Sequence, residues 1–250
     1  MTPAALRSAR VLAGMALDVV LPPRCLACGA IVQQPGTLCG ACWRELTFLT
    51  EPMCARCGFP FEIAPAGEPL CGACIVRPPA FAHARAALAY DAGSRGLVTA
   101  FKHADRTDAA PAFGAWMTRV LGDLPRPGAV VPVPLHRRRL LRRRYNQAAL
   151  LARELSRRLG VPAVPDALVR RRDTASQGTL APAARRRNVA GAFAPHPERI
   201  QHVRGQRVLL VDDVFTTGAT VEACTRVLER AGAEGVEVVT LARVPQPRPA

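Results

Sequence analysis

The 250-residue chain predicts an α/β protein: a parallel sheet flanked by helices, preceded by a small cysteine-rich module that binds metal. Three observations predict it. Eight of the nine cysteines fall before about residue 78, all in C-x-x-C pairs. From about residue 80 onward, short apolar strand patterns alternate with segments whose apolar residues recur at helical spacing. One of those strands ends in two aspartates and runs into a turn rich in threonine and glycine.

Charge adds a constraint. The 34 basic residues outnumber 19 acidic ones, giving +15, and Lys102 is the only lysine. Such a surplus favours a polyanionic partner, either nucleic acid or a phosphorylated substrate. A GC-rich genome would explain arginine in place of lysine, but not the net charge.

The elements follow in order. Residues 1–24 are expected to form an N-terminal amphipathic helix, with Leu6, Val11, Leu12, Met15, Val19 and Val20 at helical spacing. Arg7 and Arg10 ahead of the apolar run Val11 to Leu21 superficially resemble an export signal. Asp18 interrupts that run, however, and no small-residue cleavage site follows. No segment is long enough to span a bilayer, so the expected location is cytoplasmic. Residues 25–78 make the cysteine module and residues 80–244 the α/β domain. Within the latter, Ala84 to Tyr90 reads as a strand, and Ser94 to His103 and Ala110 to Leu121 as helices. Ala129 to Val133 is an apolar strand and Asn146 to Leu159 a strong helix. Residues 173–190, polar, arginine-rich and containing Pro182, read as a long loop. Arg207 to Asp212 is a strand ending in acid, Gly218 to Gly232 a helix, and Val236 to Leu241 a strand. The proline-rich tail 245–250 is expected to be disordered.

The cysteine pairs are Cys25/Cys28, Cys39/Cys42, Cys54/Cys57 and Cys71/Cys74. Two intervening residues let both thiolates of a pair reach one metal, and two pairs complete a tetrahedral Cys₄ site. Glycine follows Cys28 and Cys57, as expected where such a knuckle turns through positive φ. Short loops favour two sequential zinc sites, 25/28/39/42 and 54/57/71/74, although an interleaved cross-brace would use the same residues. Disulfides do not suit a cytosolic chain, and four redox pairs exceed what thiol exchange needs. Four thiolates leave no open position for water, so the zinc is expected to be structural. Cys224, in the middle of a predicted helix, reads as a core residue.

The segment Val208 to Thr220, V-L-L-V-D-D-V-F-T-T-G-A-T, is the most informative. An apolar strand delivers Asp212 and Asp213 to its carboxyl end, where parallel α/β sheets place their ligands. Thr216, Thr217, Gly218, Ala219 and Thr220 then open a helix whose first amides suit a phosphate monoester. Like charges repel, so the aspartates suit sugar hydroxyls, or a divalent cation reached through them. A merely N-capped helix would account for one threonine and the glycine, but not for two acids followed by two hydroxyls.

These 13 residues resemble the phosphoribosyl-pyrophosphate (PRPP) signature of type I phosphoribosyltransferases. More narrowly, the chain resembles the ComF family of competence proteins, which carry an N-terminal zinc module. The likeness covers nearly the whole chain. It includes the cysteine pairs after Pro22 to Cys25, Phe101-Lys102, Val131 to Leu135, Arg143 to Ala148, Thr174 to Leu180, Arg185, Asn188 and Gly191 to Phe193. One departure is visible: the family's R-G-F-N-Q is replaced by Arg143-Arg144-Tyr145-Asn146-Gln147.

The resemblance implies a type I phosphoribosyltransferase-like sheet and a PRPP site. Asp212 and Asp213 would be its catalytic pair on the ribose hydroxyls, and Thr216 to Thr220 its 5′-phosphate loop. Lys102, Val133, Pro134 and Leu135 would face pyrophosphate, and Gln177 and Arg185 would belong to a mobile closing loop. Magnesium would accompany PRPP. Two functions follow from the likeness: a PRPP-binding protein serving DNA uptake, with single-stranded DNA and uptake proteins as partners, or an active metabolic transferase with an unknown acceptor. The arginines of 137–144 make a basic ridge that suits pyrophosphate or a nucleic-acid backbone. Only Tyr145 offers a stacking surface nearby.

Overall fold

The computed structural model describes residues 22–103, 106–122, 124–173 and 182–245. The expected N-terminal helix up to residue 21, the tail 246–250 and residues 174–181 lie outside them. The chain divides into two compact units, Met1–Glu45 and Leu46–Ala250.

The smaller unit contains one knuckle. Arg24 pairs with Ile31 in an antiparallel bridge. The Cys25 amide donates to Ala30 O at 2.7 Å, and Gly29 turns the chain at φ +75°. Helix α1 (Gly40–Arg44) starts immediately after Cys39. The larger unit opens with the same device. Met53 bridges Pro60, the Cys54 amide donates to Phe59 O at 2.7 Å, and α2 (Gly72–Val76) starts immediately after Cys71. Gly58, at φ +67°, is doubly constrained, because a Cβ there would collide with the carbonyl oxygen of Ala84. The Ala84 amide donates to Arg56 O at 2.7 Å and Arg85 donates to Ala55 O at 2.9 Å. The second knuckle is therefore stitched onto the first strand, and its four cysteines belong to the same buried core as the sheet.

Among the described residues six strands follow: β1 (His83–Ala89), β2 (Ala129–Pro132), β3 (Leu168–Arg170), β4 (Phe193–Pro195), β5 (Arg207–Phe215) and β6 (Gly235–Arg243). Four of them make a parallel sheet in the order β1-β6-β5-β2, and β3 pairs antiparallel with β4. The central strands read as unbroken apolar runs because helices cover both faces; Val208 to Val211 are all buried. Both outer strands are covered along their free edges. The amides of Leu49 and Ala89 exchange bonds with Ala87 and Thr47 beside β1, and Val130 pairs with residues 162–164 beside β2.

The helices of this unit are α3 (Ala92–His103), α4 (Ala110–Arg119), α5 (Arg137–Arg143), α6 (Gln147–Leu159), α7 (Pro182–Val189) and α8 (Ala219–Arg230). Helix α6 shows the local logic. Asn146 caps it by accepting from the Ala148 amide at 3.1 Å, and Gly160 ends it at φ +67°. Ala148, Leu151, Ala152 and Leu155 are buried at helical spacing, each leucine worth roughly 2 kcal/mol.

Two expectations need correction, and one pair of strands is new. Residues 173–190 are not one loop, since α7 occupies 182–189. Pro182 stands at its first position, where a missing amide costs nothing and the fixed φ suits a helix, so it starts structure rather than breaking it. The strand expected to end at Asp212 runs on to Phe215, because Val214 and Phe215 stay paired with Ala242 and Arg243. The β3–β4 pair was not foreseen, because three-residue strands carry no readable period.

Arg144 is the only non-glycine residue with positive φ among the described residues, at +66°. Here the ComF pattern carries glycine, which adopts that conformation freely. Arg144→Gly should therefore stabilise the fold by about 1 kcal/mol, raising Tm by about 3 °C in a calorimetric scan. A lower Tm would show that the contacts of the Arg144 side chain outweigh the strain.

Candidate functional site

The carboxyl ends of the parallel strands open onto a cleft of about 550 Å³. Asp212 and Asp213 line it from β5. Thr216, Gly218 and Thr220 line it from the turn into α8. Gly218 takes the N-cap position of α8 at φ +78°, which only glycine adopts without strain. The first amides of α8 have no acceptor within the helix and point toward whatever occupies the turn. The Thr217 hydroxyl is buried and makes no hydrogen bond among the described residues. A phosphate oxygen in the turn would satisfy the first amides of the helix.

The aspartates are not equivalent. The Asp213 amide donates to Asp212 Oδ1 at 2.9 Å, and Lys102 Nζ lies 3.3 Å from Asp213 Oδ1. Burial, and then the charge of Asp213, push the Asp212 carboxyl up from its ordinary 3.8 to about 7. The Asp213 amide, Lys102 and Arg170 work against that rise. Five cations, Arg95, Lys102, Arg139, Arg143 and Arg170, face the two acids across the cleft. Burial holds Arg143 and Arg170 below the usual arginine range. A site with this balance suits an anion of more than one charge.

Helix α6 builds much of this arrangement. Gln147, almost fully buried, donates from Nε2 to Lys102 O at 3.0 Å and accepts from Arg143 Nη1 at 3.3 Å. The Tyr145 hydroxyl donates to Phe101 O at 2.8 Å, and Asn146 Nδ2 donates to Val133 O at 3.0 Å. Residues 145–147 thus clasp the end of α3, which presents Lys102, and the strand end carrying Val133 and Leu135. This clasp was not legible in the sequence, where only the motif's likeness to a family marked it. Arg95 and Arg170 were also missed, since neither falls within a motif of the sequence.

Among the candidate residues, Lys102, Val133, Leu135, Asp212, Asp213, Thr216, Gly218 and Thr220 meet at the cleft. Pro134, Thr217 and Ala219 are interspersed with them along the chain without lining it. Gln177 and the side chain of Arg185 lie outside the described residues. His136 sits 3.6 Å from Asp173 and does not line the cleft.

The cysteines form two groups, 25/28/39/42 and 54/57/71/74, each with its sulfur atoms within 4.8 Å of one another. This is the sequential pairing rather than the cross-brace. Two measured S···S separations are 3.7 Å (Cys28–Cys39) and 3.6 Å (Cys57–Cys71). A tetrahedral zinc with Zn–S bonds of about 2.3 Å requires about 3.8 Å between sulfurs, so the residues fit that metal. The amides of Cys39 and Cys71 donate to the sulfurs of Cys25 and Cys54 at 3.3 Å, stabilising thiolates. Hydrogen bonds from Cys57 and Cys74 pull the Cys54 thiol far down, while the same contacts push Cys74 up. Four thiolates so close together require a cation between them.

Residues 16–75 match the double zinc ribbon domain family, and residues 146–250 match the phosphoribosyl transferase domain family. DNA utilization protein YhgH of Escherichia coli (strain K12) is 33% identical over 213 residues, covering 82% of this chain and 90% of the relative. The chain belongs to the ComF-like family. Competence protein F of Haemophilus influenzae is 32% identical, with 88% of this chain and 96% of that protein covered. Among solved structures, glutamine PRPP amidotransferase from B. subtilis aligns with 57% of this ComF-like chain and 30% of its own, at 18% identity and a TM-score of 0.39. No helix among the described residues is long and apolar enough to cross a membrane.

Proposed function

We propose that this ComF-like chain binds PRPP, or ribose 5-phosphate, in the β5–α8 cleft and serves DNA uptake in the cytoplasm. The observation that carries the reading is the meeting of two adjacent aspartates, a glycine–threonine helix start and five cations in one cleft. The 5′-phosphate is received by the amides of residues 216–220 and by the threonine hydroxyls. Asp212 and Asp213 accept hydrogen bonds from the ribose hydroxyls. Lys102, Arg143 and the turn Val133 to Leu135 face the pyrophosphate, whose paired oxygens suit a guanidinium fork. Magnesium, if it accompanies PRPP, would be held beside Asp212 and Asp213 by way of the ribose hydroxyls and would offset the ligand's charge. Lys102 exchanges its bond to Asp213 for the incoming phosphates, freeing that carboxylate for the ribose.

The relatives' names, DNA utilization protein and competence protein, support the uptake role, and the surplus of arginine suits a nucleic-acid backbone. A second reading, catalytic transfer to an acceptor with loss of pyrophosphate, is favoured by the intact aspartate pair. Titration calorimetry with Mg-PRPP tests the ligand, and pyrophosphate release tests turnover. No heat of binding at any pH would sink the PRPP reading. Single-stranded DNA affinity that is undetectable, or indifferent to salt, would sink the DNA role.

The pH dependence is diagnostic. Ionised carboxylates accept from the ribose hydroxyls more strongly than neutral ones, and burial holds the Asp212 carboxyl up at about 7. Affinity should therefore rise about tenfold from pH 6 to pH 8. Affinity that is flat over this range would show that Asp212 binds nothing in its charged form.

A further inference from the structure

Arg243 is the last residue of β6, beside Phe215 on one neighbouring strand and Ala89 on the other. It is 1% exposed. Its Nη1 donates to the carbonyl oxygen of Cys57. The guanidinium carbon lies 5.0 Å from the ring centre of Phe215 and 5.7 Å from that of Phe59. Nη2 is buried and makes no hydrogen bond among the described residues.

A guanidinium cannot shed its proton in a protein, so a buried one demands a counter-charge. Among the described residues, no carboxylate lies within ion-pairing distance of Arg243. Burial disfavours its charge, and its Nη1 reaches the backbone of Cys57, one of four cysteines whose sulfurs lie within 4.8 Å of one another. Four neutral thiols would leave Arg243 uncompensated. Four thiolates around one divalent metal carry a net charge of about −2, which compensates it.

We propose that Arg243 is the built-in counter-charge of the 54/57/71/74 metal site and ties that site to the phosphate loop through Phe215. Phe215 immediately precedes Thr216, and its ring is held between the guanidinium and Phe81, 6.1 Å from the latter. Metal loss at this site strands a buried cation directly beneath the loop, and Phe215 moves with it. The 25/28/39/42 site has no such role. The first half of the inference stands on the structure alone, whereas the link to ligand affinity rests on the sugar-phosphate reading of the cleft.

Zinc release to a chromogenic chelator tests it on the full chain. Wild type should yield two zincs. Arg243→Met should surrender one of them at a chelator concentration at least tenfold lower and retain the other normally. Arg243→Gln, which keeps a donor for the Cys57 carbonyl, is the second neutral variant should the methionine protein fail to fold. Arg243→Lys should release zinc nearly as wild type does. Neutral variants that hold both zincs as wild type does, or a lysine variant that leaks like methionine, would overturn the counter-charge role. For the link, saturating Mg-PRPP should slow release of the second zinc at least threefold in wild type. Unchanged release despite calorimetrically observed binding overturns the link, while absent binding overturns only the PRPP reading.

Discussion

Cys57→Ser should unfold the whole larger unit, whereas Cys28→Ser should cost only one zinc and leave that unit folded. Both changes remove one ligand of a four-thiolate site, so local chemistry predicts equal outcomes. The surroundings differ. Cys54, Cys57, Cys71 and Cys74 are all buried within the hydrophobic core that includes Phe81, Val208 and Phe215. Cys28 is exposed, and Cys39 and Cys42 are only half-buried. Structural zinc contributes on the order of 10 kcal/mol, as much as the whole net stability of an ordinary domain. Near-UV circular dichroism together with metal content distinguishes the cases. A Cys57→Ser protein with native spectra and a wild-type melting temperature would show that the second site is an appendage.

The second large effect is expected of the double change Asp212→Asn with Asp213→Asn. Ribose hydroxyls lose two charged acceptors, and PRPP affinity should fall by about 3 kcal/mol, roughly a hundredfold. Folding stability should move the other way. The Asp212 carboxyl titrates near 7 when folded, against an ordinary 3.8, so protonation favours the folded state. That contribution is complete below 3.8 and lost as pH rises through 7. At pH 8 the ionised pair therefore opposes folding, and the asparagines should add about 1–2 kcal/mol of stability. The gain should vanish at pH 4. Chemical denaturation at the two pH values measures it, and calorimetry measures the binding. A variant that still binds PRPP as wild type does would remove the aspartates from the site.

What the sequence revealed and what it withheld divide along a physical line. Cysteine spacing announces two metal sites because the ligands of each site lie close together in the chain. The alternation of strand and helix from Ala84 to Leu241 likewise follows from local periods. The clasp of Tyr145 and Gln147 on the carbonyls of Phe101 and Lys102 joins residues more than forty positions apart, which no local pattern encodes. Arg243 is the sharpest case. It lies beyond the strand expected at Val236 to Leu241, yet it is buried at the carbonyl of Cys57, 186 positions away. Pro182 misled for a different reason, since one residue type both ends helices and begins them.

The segments laid along the outer margins of β1 and β2 carry a consequence for assembly. An unpaired margin is a template onto which another chain can add a strand, and it is the usual route to runaway association. Here Thr47 to Leu49 and residues 162–164 already occupy the hydrogen-bonding positions of Ala87, Ala89 and Val130. At these positions the four-stranded sheet is closed to lateral growth, so another copy meeting it there must engage side-chain surfaces rather than backbone.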